Sequence, residues 1–273
     1  MPKFNETAPP PRILLCGEAA SGKTGSLAQL ANAGYRLMIH DFDANTRVIG
    51  SYLRDNAADV YVSTYAAAKI TGTNLFTGAS GQASKQALDE MRRFCKMLEH
   101  WKVVGSEDLG ACTTWTPKDV VVIDSGTFLG ELLLLAAQED PEAKRDGRSL
   151  YNVAGKYYGA ILDHLTGPKM GASVIVLTHI MQTGDTDDQG KIIGKARDVP
   201  VGVGVKFSKK MQTYFSDIWH LEVDRAGNRS FKTAATDKAS LRTSAPNLIK
   251  ASEPYDLASL MNRLIKVLEQ KNL

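Results

Sequence analysis

The residues best suited by type and spacing to do chemistry run Gly17-Glu18-Ala19-Ala20-Ser21-Gly22-Lys23-Thr24, with Gly25 next. They satisfy the pattern G-x-x-x-x-G-K-[ST]. Gly17 and Gly22 let the backbone turn so that successive N–H groups face one concavity, which is what a polyphosphate requires. Lys23 supplies a point charge for β- and γ-phosphates, and Thr24 offers a hydroxyl to Mg²⁺. The chemistry this implies is binding of ATP with Mg²⁺ by residues Gly17 through Gly25.

A second candidate is the acid that ends Asp119-Val-Val-Val-Ile-Asp124-Ser125. Four apolar residues before Asp124 read as a buried strand carrying a carboxylate to its C-terminal edge, where ligands of open α/β sheets bind. Asp124 and Thr24 are the expected metal residues, with Asp124 acting through water. Ser125 follows Asp124 where a second acid would be needed to activate water, so that group must come from another element. The run Tyr35-Arg-Leu-Met-Ile-His40 ends in Asp41-Phe-Asp43. Alternation puts Asp41 and Asp43 on one side of the sheet edge. Asp43 is favoured over Asp41 as the residue that orients the attacking water. The competing reading is that one of them merely caps the next helix.

These groups need particular elements to position them. A strand, Arg12–Cys16, must deliver the phosphate loop, and a helix from Gly25 to Ala31 must receive it. The helix N-terminus then contributes a partial positive charge of about half an elementary charge. Further apolar runs at Arg36–His40, Val60–Thr64, Val120–Asp124 and Ser173–Thr178 lack polar alternation, as strands buried on both faces do. Helical spacing appears at Leu88, Met91, Phe94, Cys95 and Leu98, and again from Leu150 to Leu165. Asp217–Asp224 and Arg229–Ala235 read as strands around an Ala226-Gly-Asn228 turn, with a third strand at Ser240–Ser244. An amphipathic helix through Leu257, Leu260, Met261, Leu264, Ile265 and Leu268 closes the chain. Residues 66–84 and 182–204 read as loops. The fold class is therefore α/β: a mainly parallel sheet flanked by helices, with a C-terminal β extension and a closing helix.

Charge locates a second surface. Lys+Arg is 33 and Asp+Glu 30, so the net charge of +3 argues for no particular partner. Residues 206–250, however, carry +5, which leaves the rest of the chain at −2. Lys191, Lys195, Arg197, Lys206, Lys209 and Lys210 are the candidates for tracking a nucleic-acid backbone. The alternative is a solvated loop or a subunit contact. The acids Asp185, Asp187 and Asp188 suggest a calcium loop, but the twelfth position is Ala196, so the bidentate acid is missing and that reading is rejected. No aromatic residue lies between Met181 and Val205, so DNA binding there should be electrostatic and salt-sensitive.

Composition excludes other classes. The 273 residues are 43% hydrophobic and 23% charged, which rules out wholesale disorder, a collagen-like chain and a disulfide scaffold. Three cysteines, Cys16, Cys95 and Cys112, without C-x-x-C spacing read as reduced thiols in a cytoplasmic protein. The first eleven residues, with three consecutive prolines, read as a flexible tail rather than a signal peptide. No apolar run approaches the ~20 residues of a membrane span.

His40-Asp-Phe-Asp43 and Val122-Ile-Asp-Ser125 together resemble the RecA-like branch of P-loop ATPases. There the catalytic acid ends the strand after the phosphate-loop helix, and Ser follows the Mg²⁺ Asp. The acid is Asp here where RecA has Glu. The resemblance implies that His179, after Val174-Ile-Val-Leu-Thr178, senses the γ-phosphate, and that residues 182–200 form a mobile DNA-contacting loop. It implies trans-acting basic residues, for which Lys238 and Arg242 are the candidates, and hence a homo-oligomer, ring or filament. More narrowly, the chain looks like short phage RecA-core ATP-binding proteins of the AAA-domain type, some of which are single-strand annealing recombinases. The segment Phe231 to Arg242 resembles their closing hairpin. That implies a RecA-like ATPase domain over residues 12–245 and a C-terminal helical segment over 246–273. It implies single-stranded DNA and a single-strand-binding protein as partners in the host cytoplasm. The other function considered is a nucleotide-dependent assembly or regulatory module with little turnover. A small-molecule kinase is the weakest, because no Arg-rich lid is visible.

Overall fold

The computed structural model describes residues 9–65, 80–102, 107–186 and 192–271. Its strands are β1 (Arg12–Gly17), β2 (Arg36–Asp41), β3 (Val60–Thr64), β4 (Trp101–Lys102), β5 (Asp108–Gly110), β6 (Asp119–Asp124), β7 (Ser173–Thr178), β8 (Ile180–Thr186), β9 (Ile192–Pro200), β10 (Asp217–Val223), β11 (Arg229–Lys232) and β12 (Ser252–Pro254). The helices of these residues are α1 (Lys23–Asn32), α2 (Arg47–Gly50), α3 (Ser80–Glu99), α4 (Gly126–Ala137), α5 (Pro141–Arg145), α6 (Leu150–Thr166), α7 (Gly204–Met211) and α8 (Leu257–Lys271).

Eight strands form one sheet in the order β12-β11-β10-β1-β7-β6-β2-β3. The six from β10 to β3 are parallel, and β11 and β12 add an antiparallel edge. Strands β1, β6 and β7 are buried at every residue, which explains their continuous apolar character: both faces are covered. On one face α1 and α8 pack through Leu27, Leu30, Leu257, Leu260 and Met261. On the other, α3, α4 and α6 pack through Phe94, Leu129, Leu132, Tyr158 and Leu162. The result is a mixed α/β fold with a mostly parallel central sheet flanked by helices, the class expected from the sequence.

The parallel arrangement decides where chemistry happens. Every parallel strand ends on the same edge, so Gly17, Asp41, Asp124 and Thr178 arrive there together. Register confirms it: Asp41 lies opposite Asp124, Asp124 opposite Leu177, and Cys16 opposite Thr178.

Several expectations need correcting. Residues 182–204 are not a simple loop: β8 and β9 pair as an antiparallel hairpin, and α7 begins at Gly204. Ser240–Ser244 is no strand. It makes one bridge, Ile218 with Arg242, and then folds onto the Asp217 carboxylate, which accepts from Thr243 and Ser244. The strand that completes the edge is β12, too short and polar to show in the pattern. Pro11 is not part of a free tail, since it is buried and its carbonyl accepts from the Val174 N–H at 2.9 Å. Residues 1–8 and 66–79 lie outside the described residues, and α3 begins inside the expected loop, at Ser80.

Candidate active site

The phosphate loop is held in shape by its own lysine. Lys23 Nζ donates to the carbonyls of Gly17 at 2.9 Å and Glu18 at 2.7 Å. Gly22 sits at φ +102°, a conformation that favours glycine, immediately before α1. The first turn of α1 has N–H groups with no preceding carbonyl to meet, so they are donors for an anion.

Opposite the loop, Thr24 Oγ1 donates to Asp124 Oδ2 at 2.8 Å across 100 residues of sequence. Burial, then the Asp43 charge, push the Asp124 carboxyl up to about 7. Burial, then Asp41, push Asp43 up to about 6. Two acids in one desolvated site raise each other's affinity for positive charge. Together with the Thr24 hydroxyl, that donor set fits a hard divalent cation, which favours oxygen ligands. Lys23, itself buried, has its pKa lowered by desolvation against the pull of Asp124.

The structure separates the two candidate water-positioning acids. Asp41 ends β2, is buried, and accepts from the Ala44 N–H at 2.9 Å and Thr46 Oγ1 at 2.8 Å, shaping the turn before α2. Asp43 is half-buried and lines the cleft. Its Oδ1 also accepts from the Asn45 N–H at 3.1 Å. The pair therefore divides the roles of turn-former and cleft acid, instead of sharing one side as strand alternation suggested, because β2 ends between them. The Phe42 N–H bonds the Asp124 carbonyl at 2.6 Å and ties this turn to β6.

His179 follows β7 and lines the same cleft. Burial, then the Lys23 charge, lower its pKa and favour the neutral ring. Its N–H donates to Thr127 Oγ1 at 3.0 Å, and its carbonyl accepts from Val201 N–H at 2.8 Å. His40, by contrast, is sealed among Tyr65, Phe94 and Trp101, with its pKa driven down to about 3 by burial. It is a core residue.

The cleft has a volume of about 520 Å³ and brings together Ala20 to Gly25, Asp43, Asp124 and His179. It also includes Tyr52, Arg54, Arg229 and Tyr255, which the sequence patterns did not single out. Arg229 and Tyr255 lie 208 and 233 residues from the loop atoms they contact. Only sheet topology brings them there, and the basic excess over residues 206–250 was the single hint of Arg229.

Lys238 and Arg242 do not line the cleft. Lys238 is exposed. The Arg242 guanidinium donates to the carbonyls of Gln212 at 2.6 Å and Phe215 at 2.5 Å, which ties the segment after α7 to the C-terminal extension. Of the basic candidates, Lys191 lies outside the described residues. Lys195 and Arg197 are exposed on β9, and Lys195 pairs with Asp237 at 3.3 Å. Lys206, Lys209 and Lys210 are exposed on α7, a helix and not a loop. Lys206 and Lys210 border a groove of about 800 Å³ with Tyr151 and Lys156 of α6. Cys16, Cys95 and Cys112 are all free thiols, and burial pushes Cys16 up to about 11, so it is inert. No helix among the described residues is long and apolar enough to cross a membrane.

No protein-family model matches the chain, and no curated protein matches it. Among solved structures, an ATPase from the type III secretion system of pathogenic bacteria is similar at 11% identity with a TM-score of 0.38. The match covers 96% of this chain and 63% of that one, so this chain spans less than two thirds of that protein's length. A likeness this remote assigns no activity here.

Proposed function

We propose that this chain binds ATP with Mg²⁺ and hydrolyses it, and that turnover is coupled to single-stranded DNA in recombination or annealing. The observation that carries the nucleotide half is the Thr24 to Asp124 hydrogen bond of 2.8 Å in a cleft that also holds Lys23 and Asp43. Loop amides and the Lys23 ammonium bind the β- and γ-phosphates. Thr24 and Asp124 would hold the metal, which would neutralise charge on the phosphate oxygens. Asp43 orients a water in line with the γ-phosphorus and accepts its proton. A carboxyl raised to about 6 is largely ionised at neutral pH yet a better base than an ordinary Asp.

The DNA half rests on the exposed Lys195, Arg197, Lys206, Lys209 and Lys210 and on the basic excess around them. It also rests on the position of His179, which lines the cleft while its backbone anchors both ends of the β8–β9 hairpin. As the γ-phosphate sensor, His179 would move the hairpin directly. A homo-oligomer belongs to the same proposal, with exposed Lys238 the residue free to reach a neighbour's cleft and Arg242 held within its own chain.

Phosphate release measured with and without single-stranded DNA tests both halves. The expected result is Mg²⁺-dependent turnover stimulated by DNA, with DNA retained at low salt. Binding without turnover would reduce the chain to a nucleotide switch. Turnover with neither stimulation nor retention would remove the DNA.

A further inference from the structure

A phosphate loop works only if its peptide planes are turned the right way. In a trans peptide the C=O and the following N–H point in opposite directions. Holding a carbonyl outward therefore aims the next N–H inward. Glycine makes this a problem as well as a solution, because the freedom that lets Gly22 adopt φ +102° also lets its flanking peptides rotate.

The structure shows what holds them. Arg229 Nε donates to the Ser21 carbonyl at 2.9 Å, and Tyr255 OH donates at 2.7 Å to the Gly22 carbonyl, which also accepts from the Ser26 N–H of α1 at 2.9 Å, so that Tyr255 reinforces the helix there. Both peptides, Ser21–Gly22 and Gly22–Lys23, are trans. The two donors are themselves braced. Arg229 lies 5.6 Å from the centre of the Tyr255 ring, and that ring stacks on Phe231 at 5.8 Å. Gln29 of α1 grips the backbone just after Tyr255 with both ends of its amide, donating to the Tyr255 carbonyl at 3.1 Å and accepting from the Leu257 N–H at 2.7 Å. The turn that leads into β11 is locked by the Asp224 carboxylate, which accepts from Ala226 and Asn228. The approach is close: a Cβ on Gly22 would lie 2.7 Å from Arg229 Nε and 3.0 Å from Tyr255 Oη. Glycine at position 22 is required by its φ, and a side chain there would displace Arg229 and crowd Tyr255.

We infer that Arg229 and Tyr255 are positioning residues of the phosphate loop, fixing the N–H groups of Gly22 and Lys23 toward bound phosphate from the far edge of the sheet. The inference rests on the reading of Gly17–Gly25 as a polyphosphate site. Its physical content is preorganisation: donors already aimed need no reorganisation when the anion arrives. It makes phosphate affinity depend on β11, β12 and the start of α8, none of which carries a nucleotide motif.

The test measures binding of ATP and of pyrophosphate to the full chain and to Tyr255→Phe, Arg229→Gln and Arg229→Lys, with a thermal melt of each. Tyr255→Phe removes one hydroxyl and keeps the ring. It should weaken ATP and pyrophosphate alike by about fivefold, as the loss of one hydrogen bond predicts, and raise KM more than it lowers kcat. Arg229→Gln and Arg229→Lys should weaken both ligands similarly. The double variant Tyr255→Phe with Arg229→Gln should lose less than the product of the two, because the residues act on adjacent peptides. Weaker ATP binding with unchanged pyrophosphate binding would place Tyr255 on the nucleoside and overturn the inference. So would a lowered melting point with unchanged affinity for either ligand. Full affinity in Arg229→Lys with loss in Arg229→Gln would make Arg229 a general charge and overturn its half. If the unaltered chain bound neither ATP nor pyrophosphate, the reading of the loop itself would fall.

Discussion

The cleft proposed to bind nucleotide and the hairpin face are built from opposite materials. In the cleft, Lys23 and Asp124 are buried and each has a backbone or side-chain partner within hydrogen-bonding distance. On the hairpin and α7, the basic side chains project from the surface, and the Lys195–Asp237 pair is more than half exposed on both sides. Buried charges are screened little and fixed in direction, whereas exposed ones are screened within about a Debye length. The first region is therefore suited to recognising one ligand geometry, and the second to a polymer whose charge repeats. His179 joins them, with its side chain on the cleft and its backbone on the hairpin.

The largest effect expected from breaking this contrast lies in the cleft. Asp43→Asn should lower kcat by about a hundredfold or more while leaving ATP affinity within a few-fold, since it removes a proton acceptor and not a phosphate contact. Lys23→Ala should instead abolish binding. Steady-state turnover beside equilibrium ATP binding separates them. An unchanged low rate in Asp43→Asn would favour the assembly module over the enzyme.

The surface region predicts a smaller and salt-dependent loss. Replacing Lys206, Lys209 and Lys210 together by Glu should weaken single-stranded DNA binding about tenfold or more at low salt. The slope of log K against log salt should become shallower by about 2, because three lysines would no longer displace counterions from a single strand. A slope unchanged in a DNA titration would remove α7 from the interface.

The smallest effect is on stability. Asp43 and Asp124 have native pKa values above the ordinary carboxylate, raised first by burial and then by the charge of Asp41 on Asp43 and of Asp43 on Asp124. The native state therefore binds protons more tightly than the unfolded chain. Their contribution is fully present below about pH 4 and is lost as pH rises through about 6 to 7. Asp124→Asn carries no such charge, so without nucleotide it should gain on the unaltered chain as pH rises from about 5 to about 8, by roughly 5 °C in melting temperature. Paired melts at the two pH values check the sign.

How far the sequence could be read follows from the range of each interaction. The strands of the parallel core were legible because burial on both faces leaves an unbroken apolar run, as in Val120–Ile123. The hairpin over Ile180–Pro200 was not, because Gly184 and Asp185 interrupt its alternation and its register shifts between Thr183 and Asp185. Arg242 looked like a free basic residue, since carbonyl partners leave no pattern in sequence. The sequence favours Asp43 over Asp41, but strand alternation puts both on one side, since only the end of β2 between them decides which faces the cleft.

By itself, then, the sequence determined the strand–loop–helix setting of Gly17 to Thr24, the Asp124 carboxylate at its strand end and the α/β class, because each depends on local spacing or on the periodicity of burial. Tertiary structure alone decided that Asp43 is the acid in the cleft, that Arg242 serves the fold, and that Arg229 and Tyr255 close over the loop. Those are meetings of residues tens to hundreds of positions apart. They depend on which strands lie side by side, and strand order is a property of the packed sheet that no local window of sequence contains.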